Sequence, residues 1–269
     1  MAVQRDLAAG GNVKGSNVIE AIQIEGRALA IVSDIHANSV AFKAALEDMQ
    51  NLGIDAVISL GDVAATGPSP ADSVRMMMRH RIPSVMGNTD ERILRPEPSK
   101  FNAERGSEIP AIDTWCSQKL GNDELTSISA FKPLLHVHFG GKDILCYHGS
   151  PGSSTEVIDA STSEKTIGEI FAGHAAELFA GGHTHVQMLR RHGSSQVINP
   201  GSVGLPYYIG SDGSHYRPVR AEYAIVENSR STLSVRFRRV AYDLDELVRD
   251  VKRSGMPHSD WWMSKWKMK

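Results

Sequence analysis

Residues 29–36 read LAIVSDIH. Leu29 to Ser33 form a short, continuous apolar run, the pattern of a strand buried on both faces. The polar group Asp34-Ile35-His36 begins where that run stops. The same arrangement recurs four times. AVISL at 56–60 ends in Gly61-Asp62, and Pro83–Met86 ends in Gly87-Asn88-Thr89-Asp90. Asp143–Tyr147 ends in His148-Gly149, and Leu178–Ala180 ends in Gly181-Gly182-His183-Thr184-His185.

Helical patterns lie between these runs. Phe42, Ala45, Leu46, Met49 and Leu52 mark one helix face, closed by Gly53. Ser69-Pro70-Ala71-Asp72 supplies an N-cap, a proline at the first helical position and an acid behind it. Val74, Met77 and Met78 then face the core. Glu91–Ala130 is mostly helical in pattern. Leu134–Phe139 and Asp143–Tyr147 read as a hairpin about Gly140-Gly141. Ser161-Thr162-Ser163-Glu164 reads as a capping box before Ile167, Ile170 and Phe171. Gln196–Ile198, Glu222–Val226 and Leu233–Val240 read as strands. A last helix follows Asp243, with Leu244, Leu247, Val248 and Val251 inward.

Strands alternating with helices give an α/β chain. In open α/β sheets, ligands bind beyond the carboxyl ends of the strands. Five polar groups sharing that position converge on one site. They bring Asp34, His36, Asp62, Asn88, His148, His183 and His185 together. Oxygen and imidazole donors without thiolate suit Mn, Fe or Zn rather than a structural zinc site. Seven donors exceed one tetrahedral ion; two ions about 3.5–4 Å apart, sharing one carboxylate, would use them all.

The remaining composition narrows the class. Of 269 residues, 41% are hydrophobic and 22% charged, which is ordinary for a globular chain and excludes a disordered or collagen-like one. Lys and Arg number 29 against 31 Asp and Glu, so no global charge draws the chain to nucleic acid or an anionic membrane. Two cysteines, Cys116 and Cys146, argue against a disulfide framework. No apolar run reaches spanning length, and the first residues lack a signal-type apolar block. A cytoplasmic protein without nucleic acid or membrane as partner is expected. The chain divides into a flexible extension at 1–26, one domain at 27–255, and a Trp/Lys tail at 256–269.

The ordered string D-x-H, GD, GN, a lone His and GHTH resembles the calcineurin-like metallophosphoesterase superfamily. SDIHAN (33–38), GDVAATGPSP (61–70), NPGSVGLP (199–206) and YDLDEL (242–247) further resemble its YfcE-like bacterial and archaeal phosphodiesterase subgroup. The resemblance implies a four-layer α/β/β/α sandwich of two mixed sheets. It implies a binuclear hydrolase of phosphodiesters or phosphomonoesters, with two divalent ions (Mn, Fe, Zn or Ni). Asp34, His36 and His185 would hold the first ion, and Asn88, His148 and His183 the second. Asp62 would bridge them, and a hydroxide between the ions would attack phosphorus. Asp62, Asn88 and His185 then carry catalysis, and Asn88 with Thr89 contacts the substrate. Much of the superfamily has a proton-donating His where this chain has Thr89. Two other readings stand beside this one: a nucleotide or protein phosphatase or dinucleoside polyphosphate hydrolase, and a non-catalytic metal-binding scaffold of the same fold.

Outside the motifs, His136 and His138 read as non-ligands, and the arginines at 190, 191, 236, 238 and 239 as a solvated strand face. Asn38 reads as a helix cap or a site residue. Asn199 and Ser202 read as turn residues or substrate donors. Substrate choice is placed in the loops Pro96–Asn122 and Tyr207–Pro218.

Overall fold

The apolar run at Leu29 becomes β2 (Ala28–Val32), and it sits inside a sheet as its composition demands. It pairs parallel with β3 (Ala56–Ser59) and antiparallel with β11 (Arg220–Ser229). With β12 (Thr232–Ala241) these give a four-stranded sheet in the order β12-β11-β2-β3. The computed structural model describes residues 20–95, 108–210, 213–229 and 232–267.

A second sheet has six strands. From one edge they are β1 (Glu20–Ile24), β4 (Leu135–Phe139), β5 (Lys142–Cys146), β6 (Leu178–Ala180), β8 (Ser195–Asn199) and β7 (Met188–His192). Both sheets mix parallel and antiparallel pairs. Their inner faces meet through Leu29, Ile31 and Ile58 on one side and Val137, Ile144 and Leu178 on the other. All six are fully shielded, each worth roughly 1.5–3 kcal/mol of apolar burial.

The outer face of the four-stranded sheet carries helices. Ala30 and Val32 pack under Phe42 and Ala45 of α1 (Ser39–Asn51), and Met77 of α2 (Pro70–His80) joins the same core. The outer face of the larger sheet presents Leu145, Phe179 and Val197 to Ile167 of α6 (Glu164–Ile170) and to Phe171 beyond it. The order is helix, sheet, sheet, helix, the expected four-layer α/β sandwich. Between α2 and β4 lie α3 (Asn88–Leu94), α4 (Glu108–Gln118) and α5 (Asn122–Ser129). A short pair, β9 (Tyr208–Ile209) and β10 (His215–Tyr216), precedes β11.

Several local readings change. Glu20–Ile24, placed in the extension, is the edge strand β1, parallel to β4 and burying Ile22 and Ile24. Only two alternating apolar residues before Gly26 marked it. Residues 1–19 lie outside the described ones. Pro83–Met86 makes only isolated bridges, Ser84 to Ser59 and Val85 to Lys132. The α6 cap is Ser163, not Ser161, because Asp159 captures the Ser161 and Thr162 amides in a turn of its own. Met78 points outward, one residue off the buried Val74–Met77 stripe. In the expected tail, the described residues 256–267 pack onto the domain: α7 (Leu244–Ser254) leads into α8 (Ser259–Met263), and Trp262 and Trp266 are buried.

Candidate metal centre

The ends of β2, β3, β5 and β6 meet along one rim of the two sheets. Backbone bonds stitch the rim together. Asp34 N–H donates to Gly61 O at 3.0 Å, His36 N–H to Asp62 O at 2.9 Å, and Gly182 N–H to His148 O at 2.7 Å. The turns are sharp. Among the described residues, Asp34, His36, Asp62, His183 and His185 all have positive φ, between 47° and 68°. Such backbone costs a non-glycine residue roughly 1–3 kcal/mol and persists where the surroundings enforce it. At Gly182 the enforcement is visible: a Cβ there would stand 2.0 Å from Ser33 Oγ and 3.0 Å from Asp34 Oδ2.

The seven donors expected from sequence come together. His36 Nε2 lies 3.1 Å from His185 Nε2 and 3.7 Å from Asp34 Oδ1, and His185 Nε2 lies 3.1 Å from the same oxygen. Asp62 Oδ2 stands between two imidazoles, 3.6 Å from His36 Nε2 and 3.4 Å from His148 Nε2. Asn88 Oδ1 is 3.1 Å from His148 Nε2. With the Asn88 amide rotated, its nitrogen reaches His148 Nε2 at 3.1 Å and His183 Nδ1 at 3.0 Å.

The hydrogen bonds around this cluster fix the imidazole tautomers. Nδ1 of His36 meets Ala65 O at 3.2 Å, Nδ1 of His148 meets Leu60 O at 2.7 Å, and Nδ1 of His185 meets Leu205 O at 2.9 Å. A carbonyl only accepts, so each Nδ1 donates and each Nε2 is the atom left to face the cluster. His36 and His185 therefore turn their Nε2 atoms toward each other. Asp34 Oδ1 is buried and accepts no hydrogen bond. Rotating Asn88 relieves His148 and His183 but neither of these. Cations among the acceptors satisfy all of them at once, so the donor set fits divalent metal ions.

Electrostatics point the same way. Burial alone would raise Asp34 and Asp62, yet the facing histidines hold both carboxylates well below their usual range. Burial would lower His148, but the Asp62 carboxylate pushes it up to about 10. Burial and His148 lower His183. Protons and cations thus compete for one lone pair at His148, and cation binding there releases a proton.

Neighbouring segments buttress the ligands. Asp62 Oδ1 accepts from Thr89 N–H at 2.8 Å, which leaves Oδ2 to the histidines. Ser202 Oγ donates to Asp34 O at 2.7 Å, and Val203 and Gly204 N–H donate to Ser33 O and Asp34 O. Asn199 Nδ2 holds Gly182 O at 2.5 Å. NPGSVGLP is therefore a brace for the rim, and its Asn199 and Ser202 are turn residues. Asn38 caps α1 through Ala41 N–H and donates to Gly204 O, both at 3.0 Å.

Sequence reasoning missed Asp90, which is fully buried. It accepts from Asp62, Val63 and Gly87 N–H at 2.7, 2.9 and 3.1 Å. Burial and the Asp62 charge push it up to about 7. An acid three residues into a helix, facing the cap, is the signal that reveals it. It anchors backbone and is not free to orient a side chain at 89. The cleft over the cluster holds about 610 Å³ and is also lined by Thr66, Arg92, Tyr207 and Arg217. Tyr207 and Arg217 belong to the loop Tyr207–Pro218 expected to choose substrate, whereas no sequence signal singled out Thr66 or Arg92.

Other candidates stand apart. His136 and His138 form a separate group with Asp143. Arg190 binds Glu164, Arg236 binds Glu227, Arg238 binds Asp48 and Arg239 lies by Glu222, so these arginines serve sheet and helix packing. Of the two loops expected to choose substrate, residues 96–107 and 211–212 lie outside the described ones.

The family model for the calcineurin-like phosphoesterase superfamily domain matches residues 28–228, and the chain belongs to that superfamily. The chain is 25% identical over 244 residues to the uncharacterized protein MJ0912 of Methanocaldococcus jannaschii, covering 85% of this chain and 93% of that one. It is similar to the crystal structure of a metallophosphoesterase from Sphaerobacter thermophilus, with TM-score 0.69 and 25% identity over 89% of this chain and 97% of the other. It also resembles PH1004 from Pyrococcus horikoshii, with TM-score 0.70 and 19% identity over 87% and 95% of the two chains. Among the described residues, no helix is long and apolar enough to cross a membrane.

Proposed function

We propose that this chain is a binuclear metallophosphoesterase, hydrolysing phosphodiester or phosphomonoester bonds of a small substrate in the cytoplasm. The carrying observation is the set of inward donor atoms: the Nε2 atoms of three imidazoles locked by backbone carbonyls, facing two buried carboxylates and an amide. Asp34, His36 and His185 hold one divalent cation, and Asn88, His148 and His183 the other. Asp62 Oδ2 touches both groups. Bound cations supply an acidified water as nucleophile and neutralise charge developing on the phosphoryl oxygens.

The protein's own part is positioning. The strained rim keeps the donors fixed, so little reorganisation accompanies the reaction. Asn88 and Thr89, at the start of α3, border the cleft where the phosphoryl group lies. Thr89 brings no group that titrates near neutral pH. The leaving oxygen therefore departs unaided or takes its proton from water, which favours acidic leaving groups. The diester preference rests on the subgroup resemblance of SDIHAN and NPGSVGLP.

The test is a panel of Mn²⁺, Zn²⁺, Ni²⁺ and Mg²⁺ against bis-p-nitrophenyl phosphate, p-nitrophenyl phosphate, cyclic nucleotides and dinucleoside tetraphosphates. Metal-dependent hydrolysis, strongest with Mn²⁺ on the aryl diester, is expected. Binding of metal with no turnover of any substrate would favour the scaffold reading instead.

A further inference from the structure

Arg217 lines the same cleft as His36, Asp62, Asn88 and His185, yet it belongs to no motif. It follows β10, and the C-terminal tail grips its backbone. Arg217 N–H donates to Lys265 O at 2.8 Å, and Lys267 N–H donates to Arg217 O at 3.1 Å. Its guanidinium carbon lies 4.8 Å from the Trp266 ring centroid and 5.8 Å from that of Trp262. Both rings are themselves pinned. Trp262 Nε1 donates to Thr66 O at 2.7 Å, and Trp266 Nε1 donates to Tyr242 Oη at 2.8 Å.

The indoles attract the cation but cannot accept its N–H bonds in the way an oxyanion does. Arg217 Nη1 is buried and has no hydrogen-bond partner. Among the described residues no carboxylate forms an ion pair with it. Arg92, in the same cleft, differs: its Nη2 donates to Asp113 at 3.2 Å. Burial lowers Arg217 to about 10, so it is still a cation at neutral pH. Burying a cation without an anion is costly. The tail nevertheless builds an aromatic wall and a backbone clamp that hold the group in place beside the metal centre. A ligand anion is the partner that would complete it.

Resting on the phosphoesterase reading, we propose that Arg217 binds a second anionic group of the substrate. The substrates are then phosphate esters or anhydrides that carry a phosphate or carboxylate besides the phosphoryl group at the metal centre. The Trp262–Trp266 tail is the device that positions this specificity residue.

Two matched pairs of probes separate the second charge from the first: glycerol 3-phosphate with 3-phosphoglycerate, and glucose 6-phosphate with 6-phosphogluconate. Affinities are measured by calorimetric titration of the Mn²⁺-supplied full chain, under conditions where no phosphate is released. At least one acid should bind about tenfold or more tighter than its counterpart without the carboxylate, the worth of one charge-assisted hydrogen bond. In Arg217→Gln that gap should vanish, while the probes without the carboxylate change less than about threefold. Arg217→Lys should keep part of the gap. The Tm of Arg217→Gln should hold or rise, because an unpaired buried charge is removed.

No gap in either pair with the native protein, or a gap that survives in Arg217→Gln, overturns the proposal. So does a fall in Tm with all four probes weakened alike, which would make Arg217 a tail anchor only. The readout is binding. A protein that shows the gap and its loss, yet hydrolyses no phosphate monoester or diester, refutes the hydrolytic reading and leaves the anion site standing.

Discussion

A single methyl group at Gly204 tests whether the brace behind the metal centre governs it. Gly204 has ordinary φ, so alanine there carries no backbone strain of its own. Its Cβ, however, would stand 1.8 Å from Ile35 O, 2.7 Å from Ile35 C and 3.1 Å from Asn38 Cβ. Two of these atoms are backbone, and no rotamer change relieves the overlap. Ordinary contact needs the segments to part by more than about an ångström, and overpacking of this kind costs about 1–3 kcal/mol. The same separation strains two buried bonds, Gly204 N–H to Asp34 O at 3.0 Å and Val203 N–H to Ser33 O at 2.9 Å. Each contributes about 1 kcal/mol net. The lost chain entropy of glycine returns about 0.4–1 kcal/mol. Gly204→Ala should therefore lower stability by about 2–4 kcal/mol. Because Ile35 lies between Asp34 and His36, and Leu205 O holds His185, affinity for the first cation should fall about 10–100-fold. The matched control is Gly168→Ala within α6, where the nearest atom to the new Cβ is 3.8 Å away. That change should stabilise by about 0.5–1 kcal/mol. Urea unfolding of the chelated proteins, followed by Mn²⁺ titration, reads both quantities. A Gly204→Ala protein within about 0.5 kcal/mol of the native one, with unchanged Mn²⁺ affinity, would refute the reasoning.

Two further outcomes follow from other parts of the molecule. Asp48 of α1 accepts two bonds from Arg238, at 2.7 and 3.0 Å, and one from Tyr223 Oη at 2.6 Å. Burial would raise this carboxyl, but these partners hold it below its usual 3.8, so its stabilising effect is present above pH 3.8 and is lost as pH falls through the lower folded value. Asp48→Asn should cost about 1–2 kcal/mol at pH 7 in urea unfolding, with the difference closing in acid; an equal difference at pH 7 and pH 3 would contradict it. At Thr89, the native protein should hydrolyse p-nitrophenyl esters at least about 10²-fold faster than alkyl esters, and Thr89→His should narrow that ratio only partly, because Asp90 is committed to backbone. Similar kcat/KM across both series would mean that another group already supplies the proton.

The metal centre was legible because its chemistry is written at strand ends. LAIVS, AVISL and the run before His148 are apolar enough to be strands in any context, and ligands follow them directly. Asp34, His36, Asp62, Asn88, His148, His183 and His185 all arrive where that pattern places them. What the pattern leaves out are residues whose role depends on contacts distant in sequence. Arg217 is 181 positions from His36 and gains its setting only when Trp262 and Trp266 fold back over it. The edge strand at Glu20 was hidden for a similar reason, since its partner β4 begins at Leu135. Asp90 was missed because the amides it holds at Asp62 and Val63 are 28 and 27 positions away in the chain.

The central claim is that seven side chains hold two cations through one shared carboxylate, and metal stoichiometry tests it most directly. The chelated native chain, Asp62→Asn and His185→Gln are each titrated with Mn²⁺ by calorimetry, with elemental analysis of the dialysed proteins. Asp62 Oδ2 faces both His36 and His148, whereas His185 Nε2 faces only the Asp34 and His36 side. The native chain should bind two ions, His185→Gln should keep one, and Asp62→Asn should lose tight binding at both positions. Two tightly bound ions in Asp62→Asn, or none in the native chain, would contradict the account.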